Sequence, residues 1–341
     1  MIRSNYLLVI FLSLSLQVFS QDLFWKAGFN TFFDNTEFSQ SKYKIPQTMA
    51  GLNLAPEVGL TWDSVHILAA GTGLIHDFGS KDQAGWVYLT AYYEFRRERY
   101  RFIMGSFPRA VTIGRYPRIF FQDSVSYYRP NINGIFWEMH DEKFNVNLWL
   151  DWTSQISVKD REAFFMGFSG RYNIDRFYLQ HYAYIFHFAG DLNPLIDRGV
   201  YDNGLFLSTA GIDLSGLSVL EVADINAGYL AGTERDRLGE NKWRFNNGFY
   251  LDAVFESKFA GIRNTLYLGE GQMSFYNDHG NELYWGDPVY RAGNHDRADF
   301  YFKFINDRTV DLRLTYSLHF AEGRVFHEQM LKATVNLSNL K

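Results

Sequence analysis

Lys143-Phe144-Asn145-Val146-Asn147-Leu148-Trp149-Leu150-Asp151-Trp152 is the stretch that decides the fold. Phe144, Val146, Leu148, Leu150 and Trp152 fall on one face of an extended chain. Lys143, Asn145, Asn147, Trp149 and Asp151 fall on the other. Successive side chains of a strand point to opposite faces, so this period of two is a strand with one apolar and one wet side. The i, i+3, i+4 spacing of an amphipathic helix is missing. Residues 309–320 repeat the pattern. Val310, Leu312, Leu314, Tyr316, Leu318 and Phe320 stand against Asp311, Arg313, Thr315, Ser317 and His319.

Working outward, the same alternation predicts sixteen strands. They lie near 22–33, 47–62, 65–76, 85–97, 99–107, 131–140, 143–153, 162–172, 175–188, 202–213, 217–233, 243–256, 259–271, 298–305, 308–320 and 325–337. The connections alternate too. After even strands they are short and polar, as at Asp63-Ser64, Glu98 and Asp141-Glu142. After odd strands they are mostly long, as at 34–46, 108–130, 189–201 and 272–297. An up-and-down meander with one trimmed and one decorated rim gives this asymmetry.

Residues 1–20 read as a secretory signal. Arg3 supplies the positive start, residues 6–16 the apolar run, and Val18 and Ser20 the small residues before a cut at Gln21. Residues 21–341 then form a single domain. The mildest later stretch, 214–232, is interrupted by Glu221, Asp224 and Asn226, so any membrane crossing has to be made by strands. In hydrocarbon an open sheet edge leaves backbone groups without partners, which forces such a sheet to close. The 341 residues hold no cysteine, which excludes disulfides, thiolate metal sites and cysteine nucleophiles. A net charge of -5 argues against nucleic acid as a partner. An aromatic share of 18% excludes disorder.

These features together resemble a bacterial outer-membrane β-barrel of the porin-like type, over residues 21–341 and at the level of architecture. Tyr92-Tyr93, Tyr127-Tyr128 and Trp149 add the aromatic density of that class. One departure is the end of the sequence, Leu340-Lys341, where such barrels usually finish on an aromatic residue. The resemblance implies an all-β, closed, antiparallel transmembrane barrel of about sixteen strands. It implies location in the outer membrane among its lipids, and passive diffusion of small polar solutes. No cofactor or metal is implied, and no catalysis. Porins often trimerise, and a homo-oligomer is compatible with this sequence.

The interior decides what such a barrel does, because sixteen strands leave a channel unless something fills it. The connection 108–130 carries Arg109, Arg115, Arg118 and Arg129 against Asp123. In porins a long loop folds inward, so this one is the candidate constriction, and its cations would favour anions. The other reading is an outer lid whose arginines meet lipopolysaccharide phosphates or water. Glu94, Arg96, Arg99 and Arg101 on strands four and five are expected to face the lumen, as are Asp311 and Arg313. They suit either an anion ladder or a self-neutralised wall of ion pairs. Two further readings stay open: a loop-plugged barrel serving as a binding or assembly platform, and an outer-membrane hydrolase. For a hydrolase the sequence offers His76-Asp77, His295-Asp296 and His319 with Ser317, but no motif ties them together. The loop 272–297 holds Asp278, His279, Glu282 and Asp287 without EF-hand spacing, so no metal is assigned.

Overall fold

The computed structural model describes residues 21–81, 85–110, 112–114, 116–189, 199–217 and 219–340. The expected signal, 1–20, and Arg115 lie outside the described residues. Sixteen strands run in order: β1 (Gln21–Glu37), β2 (Gln47–Trp62), β3 (His66–Asp77), β4 (Trp86–Arg97), β5 (Tyr100–Pro108), β6 (Asn131–His140), β7 (Phe144–Ser154), β8 (Ala163–Ile174), β9 (Phe177–Phe188), β10 (Tyr201–Asp213), β11 (Val222–Asp236), β12 (Arg244–Glu256), β13 (Ala260–Gly269), β14 (Asn294–Asn306), β15 (Val310–Ala321) and β16 (Arg324–Ser338). Each is antiparallel to its sequence neighbours, and β1 closes on β16 from Lys26↔Ser338 to Glu37↔His327. The sixteen-stranded closed barrel expected from the alternation is therefore the fold.

Local chemistry sets the hairpins. Asp63 and Ser64 follow β2 with φ of 53° and 57°. Two consecutive left-handed residues make the primed turn whose twist matches the strands it joins. Glu322 and Gly323, at 57° and 69°, do the same between β15 and β16. This is the one two-residue connection among the long loops of the far rim. Two expectations need correction. Arg99 stands in the turn between β4 and β5 and is exposed, so it does not face the lumen. Strand β14 starts at Asn294, not near 298. In Asn294-His295-Asp296-Arg297 both faces are polar, so alternation of polarity could not mark it.

Leu68, Leu89, Met104, Leu148, Phe249 and Leu314 are among the large apolar side chains exposed on the outer face. A closed barrel that is greasy outside has a bilayer as its solvent. The inner face of the upper half is not hollow. The described residues 109–110, 112–114, 116–130 and 270–293 lie inside it, joined by Gln122 N–H to Trp285 O at 2.8 Å and Asp287 N–H to Arg118 O at 2.9 Å. Ile119, Phe120, Leu283 and Tyr284 are buried there against Trp149, Phe165 and Tyr184 of the wall. Trp149, on the wet face of the opening stretch, lies flat on Gly167. A Cβ at Gly167 would meet its indole at 1.9 Å.

Candidate functional site

Arg109, Arg118 and Arg129 are spent on holding this plug. Arg109 is paired with Asp151 of β7 and donates to the carbonyls of Arg129 and Asn131, both at 3.0 Å. Arg118 pairs with Asp123 at 2.7 Å and with Asp299 of β14 at 3.3 Å. Strands β7 and β14 are seven apart in a ring of sixteen, so the segment crosses the lumen. Arg129 lies over the Trp285 ring at 5.4 Å. Near the opposite mouth Glu94 accepts from Arg96 at 2.6 Å and from Arg101 at 2.8 Å. Arg313 sits 3.5 Å from Asp311 and over Tyr301. These are ion pairs of a wall.

A different arrangement lies under the plug on β14, β15 and β16. The register sets Arg297 opposite His319 and Ser317 opposite Glu328, all facing inward. His319 Nε2 donates to Glu328 Oε2 at 3.1 Å. Its Nδ1 is 3.1 Å from His295 Nε2. A carboxylate can only accept, so hydrogen-bond geometry assigns the proton on His319 to Nε2. Nδ1 of His319 then accepts, and His295 Nε2 is the donor. The last nitrogen of the series, His295 Nδ1, keeps its lone pair and has no hydrogen-bond partner in the structure. It is the end of a Glu328–His319–His295 relay whose members are all within 2% exposed.

Arg297 holds the relay from below. It donates to Asp299 at 2.6 Å, to Ser317 Oγ at 3.0 Å and to Glu328 at 3.2 Å. Both His319 nitrogens are engaged, so Ser317 and His319 do not form the dyad their spacing suggested. His295 and Asp296 point to opposite faces, and Asp296 accepts from Asn264. His76-Asp77 lies elsewhere, with Asp77 accepting from Tyr128. Sequence reading missed Glu328 as a partner, because nothing local ties it to a histidine nine residues away. Among the described residues no cluster of His, Asp and Glu is arranged to hold a metal ion.

A strap, residues 38–46, covers the relay. Phe38 meets His319 edge-on at 4.9 Å and stacks on Phe326 at 4.8 Å. Lys44 pairs with Asp287 of the second plug loop at 2.9 Å. Burial opposes the charge on Asp287, but the Lys44 ammonium and its hydrogen bond, with the fields of His319 and His295, together outweigh burial and the carboxyl is pushed down to about 2. Glu322 latches the strap at the rim, accepting from Ser41 Oγ at 2.5 Å and Lys42 N–H at 2.9 Å. Beside this turn a rim cavity of about 480 Å³ is lined by Ala292, Asn294, Phe320, Glu322 and Arg324.

The model of the lipid A 3'-O-deacylase-type family matches residues 16–338. The chain belongs to that family. This overturns the expectation of a protein without catalysis, because the family is one of enzymes. The porin-like resemblance holds for the fold. A loop-deleted OmpT, an outer membrane protein of Vibrio cholerae, superposes with a TM-score of 0.57 at 10% identity, over 93% of this chain and 100% of its own. OpdL of Pseudomonas aeruginosa gives 0.57 at 11%, over 93% and 99%. OprD of the same organism gives 0.54 at 11%, over 95% and 96%. No curated protein matches in sequence. This family member is an outer-membrane β-barrel with the architecture of those proteins.

Proposed function

We propose that this barrel removes an ester-linked acyl chain from a lipid A-type glycolipid, with His295 as general base. The observation that carries the reading is the unpartnered, buried Nδ1 of His295 at the end of the Glu328–His319 relay. Nδ1 takes a proton from water, and the hydroxide attacks the ester carbonyl. The tetrahedral intermediate collapses by expelling the sugar alkoxide, which takes the proton back from His295. The products are a free fatty acid and a sugar hydroxyl. Glu328 fixes the tautomers and stabilises the positive charge that passes along the two rings. Lys44 has donors beyond its bond to Asp287 and supplies a cation for the oxyanion. The strap, latched at Glu322, has to lift to admit an acyl ester to His295.

The test is mass spectrometry of lipid A incubated with the purified barrel in detergent. Wild type should release one fatty acid, and His295→Ala should slow release by roughly 10²- to 10⁴-fold. Release that is unaffected by His295→Ala sinks the assignment. A diffusion channel for small polar solutes is the second reading, favoured by the width of sixteen strands and the ion-paired wall. Stable conductance steps in planar bilayers that grow on deletion of 113–126, without lipid A hydrolysis, would select it.

A further inference from the structure

The outside of the barrel carries a second polar constellation, several strands away from the relay. Trp152, Phe164, His187, Asp202 and Arg235 are consecutive partners across β7, β8, β9, β10 and β11. Each lies within three residues of the extracellular end of its strand. They alternate with the inward-facing Asp151, Phe165, Phe186, Asn203 and Glu234, so the row faces the lipid. One end of the row is aromatic. Trp152 and Phe164 stack at 5.3 Å, and Phe164 and His187 meet at 5.1 Å.

The other end is cationic. Asp202 accepts from Arg235 at 2.7 Å and 3.0 Å and from Arg237 at 2.6 Å and 2.8 Å. Arg235 also lies over Trp243 at 4.4 Å. Two guanidinium groups share one carboxylate, which leaves a net positive charge. Each spends only Nε–H and one Nη2–H of its five donors on Asp202. The forks are thus pre-oriented with donors to spare, a geometry suited to phosphate.

Six residues below, on the same five strands, lies another register row: Val146, Gly170, His181, Ser208 and Tyr229. It lines a mostly apolar groove of about 980 Å³ on the outer wall. Two of its polar side chains satisfy each other, with His181 Nδ1 and Ser208 Oγ 2.8 Å apart. Six residues of strand span about 20 Å. At a tilt near ~40° that is about 15 Å of depth, half of a ~30 Å hydrocarbon core. A headgroup at the upper row would hang its acyl chains over the groove.

We infer that this wall binds a phosphorylated glycolipid of the outer leaflet. Arg235 and Arg237 take a phosphate, Trp152 and Phe164 pack on a sugar face, and the acyl chains occupy the groove. The site stands on its own residues and does not depend on the hydrolase reading.

Native mass spectrometry of the detergent-purified barrel tests it, counting bound lipid whatever its acyl number. The probes are bisphosphorylated lipid A, the same lipid without phosphate, phosphatidylglycerol and inorganic phosphate. Wild type should retain bisphosphorylated lipid A, and Arg235→Gln with Arg237→Gln should weaken it by roughly 10- to 100-fold. Trp152→Ala should cost roughly two- to tenfold. Ala210→Phe, which fills the groove without touching a charge, should also weaken it. The phosphate-free lipid should bind more weakly and ignore the arginine changes. Equal retention by wild type and the double arginine variant overturns the site. Equally tight phosphatidylglycerol overturns the sugar contact. Arginine-dependent binding of inorganic phosphate without lipid retention reduces the cluster to a plain anion site and overturns the proposal.

Discussion

Two charged networks line the inside of this barrel, and they differ in what their charges are left to do. Near the turn that follows β4, Glu94 is shared by Arg96 and Arg101, and the Arg96 side chain is 55% exposed. Under the plug, Arg297, His319 and Glu328 are all within 2% exposed, and the series ends on a ring nitrogen with nothing to bind. The first network is a wetted wall that holds its shape. The second keeps a desolvated base without a partner, which folding alone would not favour because an unmatched buried polar atom costs about 1–3 kcal/mol. Glu94 is as buried as Glu328, so what sets these two networks apart is the unmatched ring nitrogen. Charge composition does not set them apart.

The comparison breaks or holds first on activity. Glu328→Gln should lower fatty-acid release from lipid A by roughly 10²- to 10⁴-fold, while Glu94→Gln should leave it unchanged. Equal losses would erase the distinction between the two networks. Next is stability. Arg109→Ala strands the Asp151 carboxylate inside the plug and should cost about 3–5 kcal/mol in urea unfolding, whereas Arg96→Ala should cost less than about 1 kcal/mol.

The strap gives a pH test. Asp287 is depressed to about 2 from its ordinary 3.8. A depressed carboxyl stabilises the folded state above its unfolded pKa, and that stability is lost as pH falls through the folded one. The Lys44–Asp287 contact should therefore hold above about pH 4 and release on acidification toward pH 2, at a cost of about 2 kcal/mol. Hydrogen exchange of residues 38–46 should rise over that window, and Asp287→Asn should flatten the response. The smallest effect is at the rim. Glu322→Gln keeps one acceptor oxygen, for Lys42 N–H, and sets an amide N–H that can only donate against Ser41 Oγ, and should raise exchange of the strap by less than about tenfold.

Most of the fold was legible because each strand must be greasy outside and wet inside, which writes a period of two into the chain. The legible part stops where the wall rises above the hydrocarbon. There Asn294 and Asp296 face outward, His295 and Arg297 face inward, and no contrast remains to mark a strand. His295 and Arg297 lay in that blind stretch, while His319 and Glu328 stood on strands the alternation did mark. The histidine fragments of the site were visible singly. What joins them is registration of three adjacent strands, and Glu328 reaches His319 only through the hairpin. Likewise the arginines of 109–130 read as a selectivity feature, because Asp151 and Asp299, 42 and 181 residues from their partners, could not be assigned to them in advance.

The seam between β1 and β16 has a consequence for when the covered series under the strap is complete. Phe38 and Lys44 come from the leading hairpin, while His319, Phe326 and Glu328 come from the trailing one. The two ends of the polypeptide must zip together before the strap can sit over the relay. A chain still in transit can register β14, β15 and β16 and so carry the Glu328–His319–His295 series, but it gains Phe38 and Lys44 over that series only when its two ends meet.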